Sequence, residues 1–435
     1  MKIKFIPLLI PALFSGAGVV AQDTLKIQDA IVIAMQGNYD ITLAVKDSRI
    51  AEISNSPGSA GMLPTLSLTS AANTALYNTY QIYFDGTEKT SPNAQNYNLN
   101  AGAQLGWTLF DGFNMFIQKN KLDELQNLSQ IQLQSVVENT VADVIQSYYA
   151  IVTQEKMVDV YREAMAITNE RKRIAQAGIR FGSSSELSLL QASVDYNADS
   201  SAYIQQVKML QNNKVELNRL LCRDLFTAFE VRPEIPVASD LLFENLWQQV
   251  LEQNPDLRMA RTSLGLAMLD RKSANATLFP RLNLTSGYTY SNAHSQVGIT
   301  KENLYRGFSI GVNASYPIFN GFQNSQNRSK AQVRLEQARI EADQAELYTK
   351  AHLQRIYNDY QTNLQLSDFE QENVKLAMRN LTIAQEKYRI GSANDIELRE
   401  TQKKLMDAEN RYLTAQYRSK ASETELLRMS GRLSR

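Results

Sequence analysis

"LFDGF", Leu109 to Phe113, and "IFNGF", Ile318 to Phe322, are one chain-reversal signal written twice, 209 positions apart. Each closes a run of alternating residues and opens a long run with helical spacing. The flanks agree as well. From Gly112 to Gly182 of "RFGSSSEL" is 70 positions, and from Gly321 to Gly391 of "RIGSANDI" is also 70. Upstream, Asn38 to Pro64 and Asn254 to Pro280 both span 26 positions. Unrelated helices have no reason to match in length, so the chain is a repeat of a unit about half its size. The halves differ chiefly between Pro64 and Phe110, 46 positions against 39 from Pro280 to Phe319, which puts the length change in a loop.

The run before the first signal has Tyr97, Leu99, Ala101, Ala103, Leu105, Trp107 and Leu109 on one face, and Asn98, Asn100, Gly102, Gln104, Gly106 and Thr108 on the other. This period of two marks a strand with one apolar and one polar face. It recurs in Leu282, Leu284, Tyr288 and Tyr290, in Phe308, Ile310, Val312, Ala314, Tyr316 and Ile318, and more weakly in Leu66, Leu68, Ala72 and Leu76. Each run matches the roughly 9 to 11 residues of a tilted transmembrane strand, and Pro64 and Pro280 stand at strand starts, where a missing donor does least harm. A soluble sandwich with one wet face shares the same alternation. In lipid, four strands leave two open edges that nothing satisfies, so the membrane reading requires several chains to share one barrel. Two copies give an interior filled by side chains, and three give one wide enough for water.

The arms that leave the two signals contain no proline, and 70 residues of helix extend about 105 Å. Apolar positions keep 3 and 4 spacing, as in Val137, Val141, Val144, Tyr148 and Val152. Shorter arms return, from Ser183 to Cys222 and from Asn394 to Ser430, and two more helical segments run from about Thr24 to Asn55 and from Asp240 to Asn275. In the last arm Leu405, Tyr412, Ser419 and Leu426 recur every seven residues beside a row of Ala408, Ala415, Ser422 and Met429, a small-residue seam that lets helices approach closely. The helices by themselves also fit a monomeric bundle.

Composition narrows the function classes. Basic and acidic residues balance at 45 each, so no bulk field favours nucleic acid. Cys222 is the only cysteine, which excludes an internal disulfide and a cysteine metal cluster; in "VELNRLLC" it reads as a small buried helical residue. His294, in a hairpin loop, and His352, in a helix, have no metal-ligand spacing, and no phosphate loop is present, so neither a cofactor nor an enzyme activity is expected. Residues 1–21 have the plan of a secretory signal peptide, with two lysines, an apolar core and a small-residue end before Gln22. The segment "FEVRPEIPVAS", Phe229 to Ser239, joins the halves as an extended connector.

With the twin repeats, "LFDGF" and "IFNGF", and the turns "RFGSSSELSLLQA" and "YRIGSANDIELRE" in this order, the chain resembles the TolC-like outer membrane factor family, exit ducts of multidrug efflux pumps and type I secretion systems. The resemblance covers nearly all of the chain after the signal peptide. It implies a mainly α protein with a β-barrel: a homotrimer whose twelve-stranded outer-membrane barrel, four strands per chain in outer-membrane lipid, continues into a long periplasmic α-helical barrel with a mixed equatorial region. It also implies a periplasmic adaptor (membrane fusion) protein and an inner-membrane pump as partners. The expected segments are a signal peptide 1–21, a periplasmic helix 22–62, a membrane hairpin 63–110, a helical hairpin 111–224 with its tip near 182–185, a connector 225–239, a periplasmic helix 240–278, a second membrane hairpin 279–319 and a second helical hairpin 320–435 with its tip near 391–394.

Carried over residue by residue, the resemblance makes Glu397 and Glu400 an acidic pore constriction that attracts cations, and Tyr388 a gate residue. Gly182, Ser183, Ser184, Gly391, Ser392 and Ala393 become adaptor-binding tips. Carboxylates in a first helical turn also simply complement the helix dipole, with Asn394 or Asp395 as cap, and Ser183 with Glu186 reads as a capping box. Ala393 stands where well-known members carry an arginine and Ser188 where they carry an acid, which puts the familiar interchain links in doubt. A periplasmic adaptor or a coiled-coil spacer is the other class compatible with long helices. An adaptor normally has one hairpin per chain, and a spacer needs no strand pairs.

Overall fold

A computed structural model describes residues 24–182 and 184–433; the expected signal peptide and Ser183 lie outside the described residues. The elements are β1 (Thr24–Leu25), α1 (Ile27–Gly37), α2 (Tyr39–Ser54), β2 (Thr65–Ile82), β3 (Glu88–Phe110), α3 (Asn114–Arg180), α4 (Glu186–Leu220), β4 (Glu230–Val231), α5 (Phe243–Gln253), α6 (Pro255–Ala276), β5 (Arg281–Ser295), β6 (Glu302–Ser315), α7 (Gln323–Arg389) and α8 (Asp395–Met429). The repeat is exact in the hairpin helices, α3 and α7 both having 67 residues and α4 and α8 both 35, while α2 and α6 differ at 16 and 22. Two compact units divide the chain, one built from residues up to 38, 143–237 and 362–421, the other from 39–142, 238–361 and the residues from 422 on.

The second unit holds the sheet. Its order is β2-β3-β5-β6, antiparallel throughout, so β2 and β6 are edges within the chain. At 18 and 23 residues β2 and β3 exceed the expected strand length, and β2 pairs with β3 beyond the point where β5 ends. The alternation expected to run to Ile318 stops at Ser315, because Pro317 has no amide to give to a ladder. His294, expected in a loop, lies inside β5 opposite Tyr97.

Each F-x-G-F turn has two successive left-handed residues, Gly112 and Phe113 at φ 71° and 65°, Gly321 and Phe322 at 65° and 63°. That reversal folds the flanking phenylalanines onto one another edge to face, Phe110 on Phe113 at 5.2 Å and Phe319 on Phe322 at 5.3 Å between ring centres. The ring pair explains why both aromatics of the signal are written, and the left-handed backbone explains the glycine.

The segments expected as single helices, 22–62 and 240–278, are each broken at an asparagine. Asn38 and Asn254 are extended, with φ −66° and −58°, and both are nearly fully buried. In the first unit the Asn38 amide donates to the carbonyl of Leu220, the last residue of α4, at 3.0 Å. In the second unit Asn254 donates to Met429, the last residue of α8, also at 3.0 Å, and accepts from the amide of Leu257 at 3.1 Å. One side chain thereby joins a helix start to another helix's last carbonyl, two groups that otherwise lack partners.

The first unit has its core where α1, α3 and α4 meet the joining segment: Ala30, Ala34, Val144, Ile151, Val152, Leu217 and Leu221 pack with Phe229 and Val231. The connector pairs there as a two-stranded parallel sheet, β1 with β4. The Tyr148 hydroxyl bridges the two strands, donating to Leu25 O at 2.9 Å and accepting from the Arg232 amide at 3.1 Å. Cys222, expected in the helix, follows it with φ 49°, half-buried, as the left-handed residue of a closing turn: its amide bonds Arg219 O and that of Arg223 bonds Asn218 O. Gly431 at φ 66° has the same place after α8.

Candidate functional site

The two helical hairpins turn within the first unit. Gly182 and Gly391, at φ 74° and 76°, are the left-handed residues that end α3 and α7, and a Cβ at either would meet nothing within 4 Å. At the second tip the Ser392 amide and hydroxyl both donate to Lys387 O, at 2.8 and 3.1 Å, and Ala393 is half-buried beside the cap of α8, where Asn394 Oδ1 accepts from the Glu397 amide at 2.8 Å. At the first tip the Ser184 amide donates to Gly178 O, and the helix is capped by Ser185, whose hydroxyl accepts from the Ser188 amide at 3.2 Å. The capping box expected from Ser183 with Glu186 rests on a residue outside the described ones; Glu186 is the first residue of α4, after the Ser185 cap.

Glu397 and Glu400 are both exposed on α8, and Glu400 reaches Lys404 one turn on at 3.2 Å. Tyr388 is brought into a different arrangement. Its hydroxyl donates to Asp395 Oδ1 at 2.7 Å, tying the end of α7 to the start of α8. Burial, reinforced by the Asp395 carboxylate, pushes the phenol far above its ordinary value, so it stays a donor at all physiological pH.

Asp395 opens a buried polar network that links all four helices of the tips. Arg171 of α3, 2% exposed, bonds Asp195 of α4 and stands 3.6 Å from Asp395 of α8. Arg399 of α8 grips Asp199 of α4 with both terminal nitrogens, at 2.7 and 2.9 Å, and lies 3.6 Å from Asp195. Burial alone would lower the Arg399 pKa, but the bonds and charges of Asp199 and Asp195 raise it instead. The Thr168 hydroxyl donates to Asp199 Oδ2 at 2.5 Å and accepts from the Gln402 amide at 3.0 Å, and the same amide donates to Ala164 O at 2.7 Å. Thr168, Asp199 and Gln402 are all within a few per cent of complete burial. Breaking one partner out of such a buried pair typically costs about 3–5 kcal/mol, so this network ties the α3–α4 hairpin firmly to α7–α8.

Sequence reasoning missed these residues. The signal was there, as Thr168 with Arg171, Asp195 with Asp199, and Arg399 with Gln402, each pair three or four apart and thus on one helix face. Without knowing which face is buried, such pairs look like ordinary solvated charge.

Beside the network, α4 and α8 border a groove of about 810 Å³ lined by exposed apolar Leu190, Val194 and Ile396 and by Arg399, Glu400 and Lys403. Among the described residues no helix is long and apolar enough to cross a membrane, and no group of side chains has the makings of a metal site.

The profile of the family described as outer membrane efflux protein matches residues 31–223 and 246–432. The chain is 23% identical to the pyoverdine export outer membrane protein OpmQ of Pseudomonas aeruginosa over 386 residues, 87% of this chain and 79% of that protein. It is 21% identical to the alkaline protease secretion protein AprF of the same organism, over 77% of this chain and 69% of that one. Among solved structures, the Campylobacter jejuni CmeC outer membrane channel superposes with a TM-score of 0.77 at 18% identity, covering 93% of this chain and 85% of that chain. The Vibrio cholerae outer membrane protein VceC gives 0.75 at 15% identity, covering 93% and 96%.

Proposed function

The chain belongs to the outer membrane efflux protein family, and from that premise we propose that it works as a homotrimeric exit channel of a tripartite efflux or secretion system. It conducts small molecules or protein from the periplasm through the outer membrane and performs no chemistry itself. The observation that carries this is the four-stranded sheet with two edges free within the chain. In lipid such edges are satisfied only by the sheets of further copies, and three copies give a barrel wide enough for water. Exposed apolar rows at seven-residue spacing on α7, Val333, Ile340 and Leu347 and then Phe369, Leu376 and Ile383, supply the matching helical seam for a neighbouring copy.

The tips are the gate. Glu397 and Glu400, exposed on one helix face in each chain, form the acidic constriction when copies gather about an axis. Gly182, Ser183, Ser184, Gly391, Ser392 and Ala393 are the turns that an adaptor hairpin meets, and the groove between α4 and α8 receives its apolar face. Opening moves α7–α8 away from α3–α4, so the Arg171, Arg399 and Gln402 ties within the chain hold the resting state. Tyr388 acts at the gate by fixing Asp395 for Arg171. These links take the place of the arginine that Ala393 replaces.

Two measurements test the reading. Crosslinking of purified protein in detergent followed by mass determination gives three copies, and a water-soluble monomer stable without amphiphile would end it. In planar bilayers, replacing Glu397 and Glu400 together by glutamine weakens block by multivalent cations roughly tenfold or more; unchanged block removes the ring assignment.

A further inference from the structure

Arg171 is buried to 2% exposure, yet its hydrogen bonding is incomplete. One terminal nitrogen is held by Asp195, while Nε, 3.6 Å from Asp395, and Nη1 have no hydrogen-bond acceptor. A guanidinium carries five donors in a fixed fork, and leaving buried donors unmet is unfavourable enough that native structures rarely do it without a reason. The neighbouring carboxylates are already engaged, Asp395 by the Tyr388 hydroxyl and Asp195 by Arg171 and Arg399.

Arg171 also lines a separate cavity of about 290 Å³ between α3 and α7. Ile167, Ile174 and Leu398 give it an apolar wall, and Arg389 stands at its exposed rim. Glu170, the acid of this cavity, has both oxygens held by Arg173 at 2.7 and 2.9 Å and acts on Arg389 through its charge alone. The chamber is at the small end of ligand pockets and combines an apolar body with convergent cationic donors.

We propose that this cavity is a binding site for a small amphipathic carboxylate, such as a two-ring aromatic acid. One carboxylate oxygen accepts from Nη1 of Arg171 while Arg389 closes over the other, and the rings pack on Ile167, Ile174 and Leu398. Because the walls come from both helical hairpins, an occupant favours the arrangement in which they are packed together and opposes opening. This second consequence rests on the gating reading above, whereas the binding does not.

The test uses the full chain in lipid nanodiscs, titrated with 2-naphthoate and with its neutral analogue 2-naphthalenemethanol by calorimetry. Saturable binding of the acid at one site per chain, roughly tenfold tighter than the alcohol, is expected. Ile174→Trp, which fills the cavity, abolishes it, and Arg389→Gln, at an exposed position that leaves the fold intact by circular dichroism, weakens it several-fold. Equal affinity of acid and alcohol, or binding untouched by both variants, overturns the site, as does the absence of saturable binding because water alone completes Arg171. In bilayers the acid reduces opening events; saturable binding without that reduction upholds the site and removes only the gating consequence.

Discussion

At the scale of single residues, the two F-x-G-F glycines share a conformation and differ in their surroundings. A Cβ on Gly112 would lie 2.4 Å from Ala276 O and 2.9 Å from the Phe279 side chain, while one on Gly321 meets nothing within 4 Å inside the chain. Both substitutions by alanine pay the left-handed penalty of about 1–2 kcal/mol, but only Gly112→Ala adds a backbone clash. Thermal unfolding followed by circular dichroism is therefore expected to place Gly112→Ala at least about 2 kcal/mol below Gly321→Ala. A second residue sets a pH dependence. Burial, and then the charge of Glu163, raises the Glu409 carboxyl from 4.5 to about 7. The folded chain keeps this proton where the unfolded chain has lost it, so the contribution of Glu409 to stability is fully present below about pH 4.5 and is lost as pH rises through about 7, by at most about 3 kcal/mol. Melting temperatures at pH 5.5 and 8 should show the drop, and Glu409→Gln should flatten it and gain stability at pH 8.

At the scale of elements, α8 is tied to both helices of the other hairpin. Arg399 carries two hydrogen bonds and an ion pair to α4, and Gln402, one turn on, donates to Ala164 and Thr168 of α3. Arg399→Leu leaves Asp199 buried without its main cation, a loss of about 3–5 kcal/mol to the packed arrangement. The expected outcome is frequent spontaneous opening in planar bilayers without any adaptor. The double variant Arg399→Leu with Asp199→Leu, in which no charge is stranded, should open less often than the single one. Equal opening of the two would mean that the ion pair is not what holds α8. Of the two heptad rows of α8, Leu405, Ala408, Ala415, Ser419, Leu426 and Met429 are buried, as a small-residue seam requires, while Tyr412 and Ser422 are half-buried.

At the scale of the whole molecule, the sheet edges and the α7 rows call for further copies. Leu376 and Ile383 are 59% and 45% exposed in the isolated chain, and charging them desolvates unpaired carboxylates only if a neighbour covers that face. Leu376→Glu with Ile383→Glu is expected to retain helix content by circular dichroism while light scattering in detergent shows loss of the proposed trimer and bilayers show no stable conductance. Retention of the trimer would place the seam elsewhere.

What the sequence determined by itself was the repeat and its punctuation. Proline-free arms of matched length, left-handed glycines at fixed spacing and period-two alternation are local properties of the chain, so the equal helices, the reversals and the strands could be read from residues alone. Where a local pattern misleads, a competing local fact overrides it, as Pro317 does in ending the alternation at Ser315. Only tertiary structure decided that Asn38 and Asn254 break their helices to cap distant ones, and that Cys222 leaves the helix in a left-handed turn. It alone drew Thr168, Arg171, Asp195, Asp199, Arg399 and Gln402 into one buried network. The reason is physical: a polar residue's meaning depends on whether water or another helix faces it, and that depends on partners up to some 230 positions away along the chain.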